Sequence, residues 1–208
     1  RHLARADPTI SSCAYITVGT GVGVGLVVNG ASVHGMLHPE AGHCPVPHPK
    51  GDTWQNTLGH RVPDGVEANV CAPALAARAG VTQGELKNLS DDHEVWDVFA
   101  HYVAALCVNL TLISSVERIV LGGGVPSRKC LHDKVRTQYL RLLNGYLDTD
   151  QLKPDTIGEY IVRPSHGDDA GIVGALHLAE DCLCASESCI RPTLFKKYAA
   201  LRFSLGIS

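Results

Sequence analysis

The sequence has few aromatic residues, few charges and no strongly basic stretch. Aromatic side chains make up 5% of the 208 residues and charged side chains 19%, whereas 45% of the residues are hydrophobic. This balance excludes a disordered, low-complexity or coiled-coil protein and predicts a folded core. The chain has 18 basic and 21 acidic residues, so its net charge is −3. No excess of basic residues is available to bind the phosphate backbone of a nucleic acid. We therefore expect no nucleic-acid partner.

Signals for membranes and secretion are also missing. The uncharged stretch from Tyr102 to Val116 is fifteen residues long and contains polar residues such as Asn109. A membrane helix needs roughly 20 mostly apolar residues, so this stretch predicts a buried helix and no membrane partner. The chain opens with Arg-His-Leu-Ala-Arg, without a Met and without an apolar segment behind it. We expect a cytoplasmic protein that is a processed product or a fragment.

None of the eight cysteines forms a C-x-x-C pair. Cys71 and Cys107 fall within helical apolar patterns, where a free thiol packs as a small hydrophobe. We therefore favour reduced thiols over disulfides.

The order of the predicted elements is that of a mixed α/β domain. Apolar runs over 14–18, 26–28 and 31–37, with Asn29-Gly30 as a turn, predict an N-terminal antiparallel β-meander. A loop over 38–66 follows, and Asp91 or Asp92 is expected to cap the long helix. The later elements are helices over 73–79 (ended by Gly80), 93–115, 127–143 and 169–179, alternating with strands over 118–121 and 160–162. We expect one domain over 1–180 and a tail over 181–208, where residues 192–205 fit an amphipathic helix.

Two glycine-rich turns can bring backbone amides to a ligand. In residues 19–25 the glycines occupy alternate positions of an extended chain, and Thr20 adds a hydroxyl group. Residues 122–124 follow a buried strand and precede a helix, which is where open α/β sheets bind nucleotides. The alternative at both places is a tight bend against another backbone. Neither segment matches a Walker A loop or a Rossmann fingerprint.

A third candidate site lies in the loop His38-Pro-Glu40-Ala-Gly-His43. A carboxylate and an imidazole three residues apart can hold adjacent hydroxyl groups of a polyol, because the carboxylate accepts and the imidazole accepts or donates. Glu67 further along the chain can supply a second acceptor. The alternative is a solvated loop with no ligand.

Four motifs, taken together and in order, resemble the ROK family of sugar kinases. They are residues 15–23, 38–43, 120–126 and 167–175, and the resemblance covers about residues 14–180. The form of residues 38–43 is most similar to the fructokinase branch of the family. The resemblance implies one lobe of a two-lobed, actin-like ATPase (ribonuclease H-like) fold. It also implies transfer of the γ-phosphate of Mg-ATP to a hexose hydroxyl, with ATP and Mg²⁺ as cofactors and fructose as the first candidate substrate.

The resemblance assigns roles to individual positions. The residues matching the second phosphate-binding hairpin and the adenosine-side turn are Gly19, Thr20, Gly21, Gly122, Gly123 and Gly124. The residues matching the sugar contacts are Glu40, His43 and Glu67.

One departure from the family concerns its N-terminal lobe. That lobe holds an Asp-x-Gly-Gly-Thr phosphate loop and the aspartate that acts as general base, and both would precede Arg1. We therefore expect no catalytic base in this chain, which costs roughly 10²- to 10⁴-fold in rate. We expect very low activity from the chain alone, unless a homodimer or a complementing N-terminal lobe completes the cleft.

A second departure concerns zinc. The family's structural zinc site uses a histidine like His43 and a Cys/His set shortly before Glu67, but residues 59–65 contain no cysteine. We expect no bound zinc, since the substitute set matches no standard spacing. That set would comprise His43, Cys44, His48 and His60.

Two other functions stay open at this point. One is a sugar- or nucleotide-binding remnant without catalysis, with a regulatory or interaction role. The other is a glycine-rich fold that binds no ligand.

Overall fold

The computed structural model describes residues 9–185, and its framework is a five-stranded mixed sheet. The strand order across the sheet is β3-β2-β1-β4-β5. The strands are β1 (Cys13–Val18), β2 (Val22–Val28), β3 (Ala31–Ser32), β4 (Arg118–Gly122) and β5 (Ile161–Val162). The predicted tail helix over 192–205 lies outside the described residues, and the division at residue 180 stays a prediction.

Strand β1 is the centre of this sheet. It pairs antiparallel with β2, with Ile16 opposite Val24, and parallel with β4, with Ile16 opposite Leu121. The side chains of Ala14, Ile16 and Val18 on one face of β1 are fully buried, as the period-2 pattern requires. The predicted meander and mixed sheet are confirmed.

The third strand is shorter than predicted. The sequence predicted a strand over 31–37, but β3 pairs with β2 only through Ala31 and Ser32. The Gly35 amide donates a hydrogen bond of 3.2 Å to the Leu37 carbonyl, so the chain turns there instead of following β2. Residues 33–37 are exposed, so burial of their side chains does not stabilise a longer strand.

Six helices accompany the described sheet. The helix over Ala72–Ala79 (α2) ends at Gly80, whose φ of 66° is left-handed, as the glycine predicted. The helix start predicted at residue 127 is three residues too early: the helix begins at Cys130, because the Ser127 hydroxyl donates to the Gly124 carbonyl in a turn. The helices are α1 (Val66–Val70), α2 (Ala72–Ala79), α3 (Val95–Ser114), α4 (Cys130–Leu143), α5 (Ile157–Tyr160) and α6 (Ala170–Ala185). Short 3-10 turns occupy Ala41–His43, Gln83–Asn88, Asp150–Leu152 and Gly167–Asp169.

Helix α3 runs through the core and packs on α4. Its predicted caps, Asp91 and Asp92, are wrong: the cap position is Glu94, and Asp91 instead pairs with Arg128. The helix is long and apolar enough to cross a membrane, but 61% of its apolar window is buried inside the protein. The central helix of a globular core passes the same test, so this is weak evidence for a membrane span.

Buried polar groups near the end of α3 are hydrogen-bonded to one another. The Thr111 hydroxyl donates to the Cys107 carbonyl and lies 3.0 Å from the Tyr139 hydroxyl and 2.8 Å from that of Tyr160. The Tyr160 hydroxyl also donates to the Val116 carbonyl. This network fixes α4 and α5 against α3, since an unpaired buried hydroxyl would be costly.

Candidate functional site

The hairpin turn, residues 19–21, connects β1 to β2 and is held from one side by helices α1 and α2. The Gly19 amide donates to the Gly21 carbonyl at 2.9 Å, and the Gly19 carbonyl accepts from the Ala72 amide at 2.7 Å. The Val22 amide donates to Oε2 of Glu67 at 2.8 Å. The hairpin turn is therefore fixed by groups distant in sequence.

The three glycines after β4 are not equivalent. A Cβ on Gly122 would lie 2.5 Å from the Tyr15 hydroxyl oxygen, and a Cβ on Gly123 would overlap the Val18 carbonyl. Gly123 also has a φ of +98°, which disfavours any other residue. By contrast, the Cβ direction of Gly124 is open. Gly122 and Gly123 therefore allow close packing on β1, and only Gly124 faces free space.

A cleft of about 610 Å³ lies between the hairpin turn and the turn at Gly124. It brings together three of the six residues matched to nucleotide binding, namely Gly19, Thr20 and Gly124; the other three do not line it. Among the described residues that line the cleft, none is acidic. The remaining lining residues are Ala72, Gln83, Leu86, Lys87, Trp96, Val125, Ser127 and Arg128.

One wall of this cleft is built around Arg128. Its guanidinium carbon lies 4.6 Å from the centre of the Trp96 ring. The same guanidinium donates to the carbonyls of Leu86 and Lys87, at 3.2 and 3.0 Å, and pairs with Asp91. Arg128 thus links the Gln83–Asn88 turn to helix α3.

Sequence reasoning missed this wall. One available signal was Thr82-Gln-Gly-Glu85, which forms a capping box: the Thr82 amide donates to Oε2 of Glu85 at 2.8 Å. That pattern predicts the short turn that carries Lys87. Nothing local connects Trp96 with Arg128, which are 32 positions apart in sequence.

The second group of candidate residues begins with Glu40, which lies between two histidines. Its Oε1 is 2.8 Å from Nε2 of His38, and its Oε2 is 3.8 Å from Nε2 of His43. Gly42 between them is buried, and a Cβ there would overlap the Val22 carbonyl. The absence of a side chain at Gly42 lets this loop dock on β2.

A short ladder brings His43 to Glu67. The Val66 amide donates to the Cys44 carbonyl at 3.2 Å, and Pro45 forms an antiparallel bridge with Gly65. As a result, Nδ1 of His43 lies 3.9 Å from Oε1 of Glu67. The predicted residues Glu40, His43 and Glu67 do form one cluster in space, here called the Glu40–His43–Glu67 cluster.

The structure adds His60 to the edge of this cluster. Its Nε2 lies 3.9 Å from Oε1 of Glu67 and 3.9 Å from Sγ of Cys71. Its Nδ1 is 2.9 Å from Nδ2 of Asn56, which also donates to the Ala68 carbonyl. Burial raises the pKa of the Cys71 thiol, which keeps it protonated at neutral pH. Asn56 was missed, and His60 was named only in the substitute zinc set, because both lie in a loop with no periodic pattern.

The cleft and the Glu40–His43–Glu67 cluster lie at opposite ends of one hairpin turn. Residues with hydroxyl and cationic side chains line the cleft, a combination suited to an anionic ligand. Carboxylates and imidazoles form the cluster, a combination suited to hydroxyl groups. The arrangement can hold an anion and a polyol as neighbours.

A model described as the ROK family matches residues 2–182 of the sequence. The chain belongs to the ROK family. A relative from Bacillus subtilis is 36% identical over 176 residues, which is 85% of this chain and 57% of its own length. A fructokinase from Streptococcus mutans is 35% identical over 181 residues, 84% of this chain and 58% of its own length. The chain thus spans somewhat more than half the length of these ROK relatives.

Solved ROK structures share the fold. The ROK hexokinase from Thermus thermophilus aligns with a TM-score of 0.63 at 24% identity, over 80% of this chain and 56% of its own. The ROK family glucokinase from Streptomyces griseus, solved with glucose and AMPPNP, aligns with a TM-score of 0.61 at 18% identity. That alignment covers 81% of this chain and 60% of the glucokinase. The actin-like ATPase fold expected from the sequence motifs is confirmed.

His48, one member of the substitute zinc set, lies 2.8 Å from the Tyr102 hydroxyl and 3.3 Å from Oδ1 of Asp64. Among the side chains that the structure describes, no group of three or more His, Cys, Asp or Glu is placed to hold a metal ion. Five of the cysteines are described as free thiols: Cys13, Cys44, Cys71, Cys107 and Cys130.

Proposed function

We propose that this chain supplies the nucleotide- and hexose-contacting lobe of a ROK sugar kinase that phosphorylates fructose with ATP. The observation that carries the proposal is the single hairpin turn that borders both the cleft and the Glu40–His43–Glu67 cluster. Phosphoryl transfer depends on positioning two substrates and neutralising charge, so a phosphate site directly beside a hydroxyl site is its central requirement. Fructokinase-named relatives at 35 and 31% identity support fructose as the hexose.

The nucleotide is proposed to bind in the cleft through Gly19, Thr20 and Gly124. The Cβ directions of Gly19 and Gly124 are open, so neither residue blocks the approach of a phosphate group to its turn. The Gly19 amide itself is bonded to the Gly21 carbonyl, and the Thr20 hydroxyl is proposed to donate to the phosphate instead. In this proposal Gly21, Gly122 and Gly123 do not contact the nucleotide; they allow the two turns to pack closely against their neighbours. Because the described lining holds no carboxylate, Mg²⁺ would be carried by phosphate oxygens and water, which is its usual mode of binding.

The hexose is proposed to bind at the Glu40–His43–Glu67 cluster. The two carboxylates accept hydrogen bonds from sugar hydroxyl groups, and the His43 imidazole accepts or donates. The Glu67 side chain is 20% exposed and those of His43 and Glu40 are 42% and 56% exposed. Solvent exposure therefore rises across the cluster from Glu67 to Glu40.

We expect the 208 residues alone to bind both ligands without efficient turnover. They are proposed to provide one wall of the reaction cleft, with the general base and the opposing phosphate loop on a complementing lobe or a second copy. Loss of base assistance alone costs roughly 10²- to 10⁴-fold. The free thiols fit a reducing compartment, and we propose a cytoplasmic location.

The proposal is tested by isothermal titration of the chain with fructose and with Mg-AMPPNP. Saturable binding of both ligands is expected. His43→Ala should weaken the binding of fructose about tenfold, because it removes a hydrogen-bonding partner of the sugar. His34→Ala is the matched control, because His34 is exposed and lies outside the cluster. Absence of saturable fructose binding, or an equal effect of the two substitutions, would contradict the assignment.

A further inference from the structure

Glu67 contacts both parts of the site with different oxygens. Oε2 accepts the Val22 amide hydrogen at 2.8 Å, directly after the hairpin turn. Oε1 lies 3.9 Å from Nδ1 of His43 and 3.9 Å from Nε2 of His60. One carboxylate is therefore shared between the backbone beside the phosphate site and the side chains of the sugar site.

Gly21 keeps this contact possible. A Cβ at position 21 would lie 2.7 Å from Oε2 of Glu67, closer than non-bonded atoms approach. The end of the Glu67 side chain would have to shift, which displaces the carboxylate from its present hydrogen bond to the Val22 amide. Gly21 does not line the cleft, so its missing side chain serves the Glu67 contact and not a ligand.

A second tie makes the connection stiff. The Ala72 amide, five residues after Glu67, donates to the Gly19 carbonyl at 2.7 Å. Helices α1 and α2 thus hold the hairpin turn at both ends, once through backbone and once through the Glu67 side chain. A shift of the hairpin turn must move the Glu67 carboxylate, and a shift of the carboxylate must release the hairpin turn.

We propose that Glu67 is a positioning residue that couples the two substrate sites, so that nucleotide binding and hexose binding strengthen each other. This inference rests on the proposed function and adds the residue through which the sites communicate. Nucleotide phosphates that fix the hairpin turn fix Glu67 for the sugar, and a sugar that fixes Glu67 fixes the Val22 amide. Such coupling is reciprocal and is typically about 5- to 150-fold.

The test is the affinity for fructose, with and without saturating Mg-AMPPNP, in the wild type and two alanine variants. In the wild type the nucleotide should tighten fructose binding by about fivefold or more. Gly21→Ala should weaken fructose binding about tenfold and abolish the nucleotide effect, although residue 21 belongs to the hairpin turn and not to the Glu40–His43–Glu67 cluster. Gly25→Ala in the adjoining strand β2 should match the wild type, because no atom lies within 4 Å of its Cβ position.

The outcomes separate this inference from the proposed function. If the wild type binds fructose but Gly21→Ala keeps both affinity and coupling, the inference is wrong and the proposed function stands. If the wild type binds no fructose, the proposed function fails and takes the inference with it.

A second measurement serves if Gly21→Ala does not fold. Hydrogen exchange of the Val22 amide should be slow in the wild type and in Glu67→Gln, whose side-chain carbonyl still accepts the bond. Exchange should be faster in Glu67→Ala by at least about tenfold, while amides of β1 keep their protection. Equal Val22 protection in all three proteins would overturn the proposal.

Discussion

Arg78 and Asp52 form a buried ion pair, with Nη1 of Arg78 2.9 Å from Oδ1 of Asp52 and side-chain exposures of 6% and 8%. The Tyr102 hydroxyl donates to the other carboxylate oxygen at 3.0 Å. The Arg78 guanidinium also lies over the Trp54 ring, 4.2 Å from its centre. Together these contacts fasten the loop over 44–65 to helices α2 and α3, and that loop carries His60 to Glu67.

The first prediction concerns this ion pair. Asp52→Ala should lower the free energy of unfolding by about 3–5 kcal/mol, because it leaves the buried Arg78 charge without its partner. Urea unfolding followed by circular dichroism measures the change. The control is Asp150→Ala, whose pair with Lys153 is exposed and should contribute little. Equal midpoints for the two variants would contradict the structural role of Asp52.

The second prediction concerns the pH dependence of that stability. Burial raises the pKa of Asp52, but the hydrogen bonds from Arg78 and the Trp54 amide, with the Arg78 charge, outweigh it and lower the pKa below 3.8. Because the folded pKa lies below the unfolded one, this stabilisation is complete above the unfolded pKa and is lost as pH falls through the folded pKa. The stability gap between wild type and Asp52→Asn should be constant from pH 6 to 8 and shrink below about pH 4. A gap unchanged in urea titrations at about pH 3 would refute this.

The third prediction separates two neighbouring glycines. Gly123→Ala should cost ~3 kcal/mol or more in stability, since φ is +98° and the new Cβ overlaps the Val18 carbonyl. Gly124→Ala should change the free energy of unfolding by only about 0.5 kcal/mol. It should weaken the binding of Mg-AMPPNP roughly tenfold, because the new side chain enters the cleft. Thermal melts and calorimetric titration measure the two effects. Similar behaviour of both variants would show that the turn is misassigned.

The fourth prediction concerns the cleft wall. Arg128→Met should weaken the binding of Mg-AMPPNP about tenfold and leave the affinity for fructose unchanged. The reason is that Arg128 connects the Gln83–Asn88 turn to Trp96 in the wall of the proposed nucleotide cleft. Arg141→Met is the control, as Arg141 bonds only to Gln138 on the exposed face of α4. If fructose binding fell as much as nucleotide binding, Arg128 would act on the whole fold instead.

Local signals explain which parts of the fold were predictable. The Asn29-Gly30 turn set the β1–β2–β3 meander, and Gly80 set the end of α2, because each depends on a few adjacent residues. The length of β3 was not predictable, since it depends on how the chain turns at Gly35. The N-terminal end of α3 was also missed, because Asp91 is used by Arg128 from a distant turn.

The site shows the same division. The sequence named Glu40, His43 and Glu67, and the ladder between residues 44–46 and 64–66 brings them together. The sequence did not distinguish Gly124 from Gly122 and Gly123. Gly122 and Gly123 pack against β1 and Gly124 does not, and this difference exists only in the folded protein. His60 was missed as a neighbour of Glu67 because it reaches that carboxylate through a loop whose path depends on the Arg78–Asp52 pair.

The most direct test of the account is an NMR titration of the ¹⁵N-labelled chain with Mg-AMPPNP and with fructose. We predict saturable shifts at Gly19, Thr20, Gly124 and the Trp96 indole for the nucleotide, and at Glu40, His43 and Glu67 for fructose. Val22 should respond to both ligands, because its amide joins the two sites through Glu67. Saturable shifts confined to other surfaces, or none for either ligand, would contradict the claim that this hairpin turn borders two substrate sites.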